Sequence, residues 1–355
     1  MASVYSPISP PRDAVRAALA DPALAIGGPR LDALCFWGSP MIALVFTMAW
    51  VGASTALPPA IGQIAGSALV GAVAVLTYAH LIAVVPRAYF NREVFAAYRL
   101  RLTIVPVLLI AALFASHTLL VCGIVLAVFW DVHHSALQTF GLARIYDMKA
   151  GNDAHRLRRV DLLLNWALYV GPLGFGASLL VHLREFERFG ALGWGMLTQL
   201  PEAAEGLGGW IRLGALAIWA VVVAAAAIEY RRAAAQGYRM PVHKAALLGS
   251  TALVSILAWG FAPPVIAFLA INLFHAVQYF ALVWLKEGPR MAGRMAPHPR
   301  NGWRAAALFA AFCIAFGIAY RLADATPALL TPFIACSLLH FWYDSFVWSV
   351  RKKQV

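Results

Sequence analysis

A chain of 355 residues that is 62% hydrophobic and only 12% charged, with a mean hydropathy of +0.73, is not a soluble globular protein of that length. The formal charge of +12 raises nucleic acid as a partner, but the Lys and Arg stand in short clusters between apolar runs, so they read as membrane-surface flanks and no nucleic acid is expected. The four cysteines, Cys35, Cys122, Cys313 and Cys336, lie in or beside apolar runs without C-x-x-C spacing, which argues against a disulfide framework or a zinc knuckle.

In chain order, residues 1–32 read as a cytoplasmic tail. Ser6, Pro7, Ser9, Pro10 and Pro11 precede a short amphipathic run from Asp13 to Leu24, without the continuous apolar stretch of a signal peptide. A helix needs roughly 20 apolar residues to cross a hydrocarbon core. Candidate spans follow near 33–56, 61–85, 102–117, 119–144, 161–182, 210–230, 244–260, 264–285, 304–321 and 327–349, the third and fourth separated by the turn "ASHTL" around Ser116 and His117.

The distribution of cations tests that count. With Arg12, Arg16 and Arg30 on the cytoplasmic side, the loops 86–101, 145–160, 231–243 and 286–303 and the tail 351–355 all fall on that side, and all are rich in Lys or Arg. The opposite loops hold almost no cations except in 183–209, where Arg184 and Arg188 are offset by Glu185, Glu187, Glu202 and Glu205. No internal repeat and no low-complexity linker divides the chain. The expected fold is therefore all-α: a polytopic membrane domain over 33–350, about ten transmembrane helices, both termini cytoplasmic, in a bacterial inner membrane. Arg87 with Tyr89 and Arg144 with Tyr146 read as topology signals and interface anchors.

Five histidines are embedded in these spans: His80, His133, His134, His275 and His340, on the second, fourth, eighth and tenth. His133, His275 and His340 each lie 11 residues before the first cytoplasmic cation of their span (Arg144, Lys286, Arg351), and His80 lies seven before Arg87. At 1.5 Å per residue, three of these stand roughly 16 Å deep and the fourth about 10 Å. Four helices running in one direction thus bring imidazoles to similar height. Because His133 and His134 point about 100° apart, only one need face a common centre; His134 is favoured because it shares the face of Asp131.

Polar residues accompany them at helical spacing. Asp131, His134 and Gln138 share one face, Asn272, His275 and Gln278 or Tyr279 a second, and His340, Asp344 and Trp348 a third. A lone intramembrane histidine is most often an interhelical hydrogen-bond donor. Four at matched depth among other polar groups point instead to a functional centre. The metal-ligand candidates are therefore His80, His133, His134, His275 and His340, with Gln138, Asn272 and Gln278 as groups that orient them and Asp131, Tyr279 and Asp344 as candidate catalytic residues. Imidazole suits iron, copper and zinc alike.

The pattern resembles the integral-membrane histidine-motif oxygenases, and most nearly the Brp/Blh family of bacterial and archaeal β-carotene dioxygenases. His275 in "NLFHAVQYFALVW" is similar to that family's histidine leading into an aromatic run, and His340 with Asp344 in "LLHFWYDSFVW" to its final His and nearby Asp; His80 and His134 match as histidines on earlier spans. The chain is longer than that family's pattern, lacks its Pro-His-Gly context, and has no second histidine near His275. The resemblance implies one non-haem Fe(II) held by His80, His134, His275 and His340. The reaction it implies is oxygen-dependent, on a lipophilic substrate such as a carotenoid, other isoprenoid or acyl lipid met in membrane lipid. Two other functions fit the residues, a proton-coupled transporter using His134, Asp131 and Asp344 and a redox protein with non-covalent haem; a scaffold, which no residue points to, is the default if no ligand binds. No sequence feature assigns an electron-donor protein.

Overall fold

Away from water, a backbone must satisfy its N–H and C=O groups within its own segment, and long runs of Ala, Leu and Val do so as helices. The computed structural model describes residues 12–294, 301–323 and 326–348, and among these it holds helices and no strand. The first eleven residues, His298, Arg300 and the expected basic tail 351–355 lie outside the described residues.

The long helices are α1 (Ser39–Thr55), α2 (Pro59–Ile82), α3 (Arg99–Ala115), α4 (His117–Lys149), α5 (Arg158–Phe175), α6 (Gly208–Ala235), α7 (Val242–Ser255), α8 (Pro264–Gly293), α9 (Asn301–Ala323) and α10 (Pro327–Val347). Each falls on a predicted span. Proline stands in the first turn of α1, α2, α8 and α10, where its missing N–H costs nothing. Between α3 and α4 the chain breaks at Ser116, whose hydroxyl caps α4 by accepting from the Leu119 N–H at 3.3 Å. One π-turn, Pro86–Phe90, extends α2 and another, Ile256–Phe261, extends α7.

Six of these helices are long and apolar enough to cross a membrane: α2 and α7 with their extensions, α4, α6, α8 and α9. The number rises to eight if each of two bent pairs is one span, Pro29–Cys35 with α1 (44°) and α5 with Leu179–Leu192 (92°). Length and composition alone thus give a membrane protein with six to eight such helices among the described residues. Two other long helices fall outside that measure for physical reasons: α3 has only 17 residues, and α10 carries His340, Tyr343 and Asp344 in its second half.

Several expected loops are partly helical, 86–101 among them, with Pro86–Phe90 and Arg92–Ala97. The fourth helix runs to Lys149, five residues past its predicted end, and buries Tyr146 and Asp147. The segment 183–209 contains the short helices Arg184–Leu192, Gly195–Thr198 and Leu200–Gly206. Among the spans α8 is central and α6 peripheral, with 61% against 6% of their apolar windows buried. One core cluster packs α4, α5, α7 and α8 around Phe36 and Trp259; a second joins α2, α8 and α10 around Tyr279 and Val283. The histidines stand between them.

Candidate metal centre

His80 ends the last full turn of α2, His134 is midway along α4, His275 is midway along α8, and His340 is in the second half of α10. Packing around α8 closes the four into a circuit. Ring centroids are 4.9 Å apart for His80 and His275, 5.0 Å for His275 and His134, 4.8 Å for His134 and His340, and 5.1 Å for His340 and His80. Each contact is edge-to-face, and every one of the four side chains is buried. One ring nitrogen from each of His80, His134 and His340 lies within 4.8 Å of the others, a spacing that an ion can bridge. His275 completes the circuit through its ring contacts.

A hydrogen bond says which way one of the rings presents its lone pair. His340 Nδ1 is 2.9 Å from the Leu81 carbonyl oxygen; because a carbonyl only accepts, Nδ1 carries the proton and Nε2 keeps the lone pair. That Nε2 is 3.2 Å from His134 Nε2. Asp344, one turn after His340, brings Oδ2 to 3.7 Å from His340 Nε2 and 3.8 Å from His134 Nε2. Its other oxygen accepts from the Tyr279 hydroxyl at 2.8 Å and the Trp348 indole N–H at 3.0 Å, so the carboxylate is held in one orientation.

Neither nitrogen of His275 has a hydrogen-bond partner, and His80 has none beyond the Thr77 carbonyl of its own helix. A buried polar atom left unpaired costs about 1–3 kcal/mol, so a purely structural network would leave this site destabilising. The donor set, neutral imidazoles beside one carboxylate, fits a first-row transition metal, which would take one nitrogen from each ring.

The structure divides the remaining predicted residues. Gln138 donates to the carbonyl of His275 at 3.0 Å and to Gln278 at 3.1 Å, and Gln278 donates to the carbonyl of Phe36 at 2.9 Å; both glutamines therefore set α4 and α8 in register. Tyr279 stacks its edge against His340 at 4.8 Å. Three residues are not at the centre. His133 turns away and packs on Trp166 at 4.9 Å, as the 100° step between neighbours on a helix requires. Asn272 bonds back to the Phe268 carbonyl of its own helix at 3.1 Å. Asp131, a turn before His134, makes no hydrogen bond or ion pair with the four imidazoles among the described residues.

A cavity of about 550 Å³ reaches the cluster from its basic end. His134, Tyr279 and Asp344 line its inner end, Leu137, Leu282 and Phe341 are among its apolar lining, and Arg144, His155 and Arg158 line its outer end.

Sequence reasoning missed two buried ion networks near that end. Arg144 and Arg87, read as interface anchors, are 3% and 4% exposed. Arg144 Nη1 is 2.5 Å from both Asp147 and Asp161, and Lys244 Nζ is 2.6 and 2.8 Å from the same two carboxylates. Tyr230 donates to Asp161, and Tyr238 donates to Asp147 at 2.7 Å. Arg87 pairs with Glu287 at 2.7 Å and lies 4.9 Å over the Trp348 ring. The local sign was an acid inside a basic segment: Asp147 between Arg144 and Lys149, Asp161 after Arg158 and Arg159. Through its second nitrogen Arg144 also grips the carbonyls of Asp153 and Ala154 at 3.2 and 2.8 Å, which fixes the loop at the cavity mouth. In that loop the His155 N–H bonds to Asp153 at 2.6 Å, which holds the Asp153 carboxyl below its usual range.

Comparison with known proteins gives no match among protein-family models, curated proteins or solved structures, so the site is read from its own geometry.

Proposed function

We propose that the chain is a membrane-embedded non-haem iron oxygenase acting on a lipophilic substrate, with ten spans and both termini cytoplasmic in a bacterial inner membrane. One observation carries this reading: four buried imidazoles from four helices meet in a closed circuit, and the rings of His80 and His275 make no hydrogen bond to another helix. His80, His134, His275 and His340 would hold the ion, with Asp344 beside them. Bound iron supplies affinity for O2 and a change of oxidation state, chemistry no side chain provides.

The chain's own residues do the rest. The Leu81 carbonyl fixes the proton of His340 on Nδ1 and directs Nε2 inward. Tyr279 and Trp348 hold one oxygen of Asp344 so that the other faces His134 and His340. Leu137, Leu282 and Phe341 give an apolar chain a wall to lie against, and they exclude water from the inner end. Rings in contact around a circuit of about 5 Å edges leave space for an ion rather than a porphyrin plane, which favours a mononuclear metal over haem.

The test is elemental analysis of protein purified in detergent, with His80→Ala, His134→Ala, His275→Ala and His340→Ala alongside. The expected result is one iron per chain, lost in each variant. A metal-free wild type that takes up no Fe(II) anaerobically, or variants that keep full iron, would overturn the assignment; stoichiometric zinc would refute the oxygenase.

A further inference from the structure

The cavity that reaches His134 and Asp344 ends in positive charge that the fold does not use. Its outer end is lined by Arg144, His155 and Arg158. The charge of Arg144 is consumed by Asp147 and Asp161. Arg158 differs: it is exposed, its guanidinium lies 5.7 Å over the Phe140 ring, and it has no ion pair among the described residues. A second hollow of about 500 Å³ shares His155 and Arg158 and adds Arg159. The one acid lining it, Glu229, is taken by Arg232 at 2.6 Å. Arg158 also opens α5, whose first-turn acid, Asp161, is turned inward to Arg144 and Lys244 and leaves Arg158 unpaired among the described residues.

We infer that Arg158, with His155 and Arg159, is the head-group station for a single-chain amphiphile ending in an oxyanion, carboxylate or phosphate, whose apolar chain runs down the cavity to the histidine cluster. The role given to that cluster rests on the oxygenase reading. Phe140, under Arg158, is six residues from His134 on α4, about 9 Å along the axis. An extended chain advances about 1.2 Å per bond, so the position presented to the cluster lies roughly eight bonds from the head. At about 30 Å³ per water-sized unit, a cavity of about 550 Å³ takes roughly eighteen heavy atoms, enough for an acyl or short isoprenoid acid. The wall contains Gly141, where an added Cβ would meet nothing within 4 Å, so a side chain placed there enters the cavity without displacing the fold.

The experiment uses the full chain in phosphatidylcholine nanodiscs with metal removed by chelator, so that binding is read independently of iron. A fluorescent dodecanoate is displaced by dodecanoate, dodecyl phosphate, dodecanol or phosphatidylglycerol. A charge-assisted bond to Arg158 predicts that at least one of the two anions displaces the probe at about tenfold lower concentration than dodecanol. Arg158→Gln should remove that advantage and leave dodecanol unchanged, and Gly141→Leu should weaken all three. Equal displacement by dodecanol, an unaffected Arg158→Gln, or displacement by phosphatidylglycerol alone, which would make Arg158 a bilayer-lipid contact, would each overturn the inference. A metal-free wild type would sink the oxygenase reading and leave this binding result standing.

Discussion

Replacing Asp161 with Asn removes one of two negative charges from a buried group of four ions while keeping the shape of the side chain. In the native protein two cations and two carboxylates balance, and Asp161 accepts from Arg144 at 2.5 Å, from Lys244 at 2.8 Å and from Tyr230. Asp147, Asp161 and Lys244 are 0% exposed and Arg144 is 3% exposed, so water does not screen the loss. After the substitution two cations share one carboxylate. Breaking a buried pair in this way costs about 3–5 kcal/mol, a large part of a total stability of about 5–15 kcal/mol. Lys244→Met leaves the opposite imbalance and should cost a similar amount. The double variant keeps the single pair Arg144–Asp147 at 2.5 Å, so its cost should fall short of the sum by about 3 kcal/mol. Titration with SDS in mixed micelles, followed by helix circular dichroism, measures all three, with the exposed Glu205→Gln as a control expected within about 0.5 kcal/mol of wild type. Strictly additive costs for the single variants would refute the idea that these four residues act as one balanced unit.

The adjacent histidines separate cleanly by metal content: His133→Ala should keep the full complement, because its ring packs on Trp166, whereas His134→Ala should lose it; loss in both would mean that α4 is rotated from the orientation described. A close helix contact is tested at Gly317, where an added Cβ would stand 2.1 Å from the Val75 carbonyl oxygen. Gly317→Ala should therefore lower the stability measured in SDS by about 1–3 kcal/mol, while Gly71→Ala on α2, with open space around its Cβ, should be neutral or stabilising by up to about 1 kcal/mol. Equal effects at the two glycines would count against the α2–α9 packing.

The alternation of apolar runs and cationic clusters was enough to place every long helix, since a segment that is apolar over its whole length folds as a helix whatever its neighbours do. The depth argument was equally local: counting back from Arg87, Arg144, Lys286 and Arg351 put four histidines at comparable height, and in the structure His80, His134, His275 and His340 meet. Azimuth was not legible in the same way. Helical spacing grouped Asp131 with His134 and Asn272 with His275, yet neither Asp131 nor Asn272 joins the cluster, because which part of a helix face meets the centre depends on how far each helix is rotated by its neighbours.

Burial of charge was less legible still. Arg87, Arg144 and Lys244 look the same in sequence as the exposed cations of a membrane flank, and only the packing of α4, α5, α7 and α8 turns them towards Glu287, Asp147 and Asp161. By itself the sequence determined the helices, their order and the level of the imidazoles, which follow from hydropathy and a fixed rise per residue. The tertiary structure alone decided which imidazoles touch, which carboxylate faces them and where the cavity opens, because those depend on contacts between residues up to 260 positions apart in the chain.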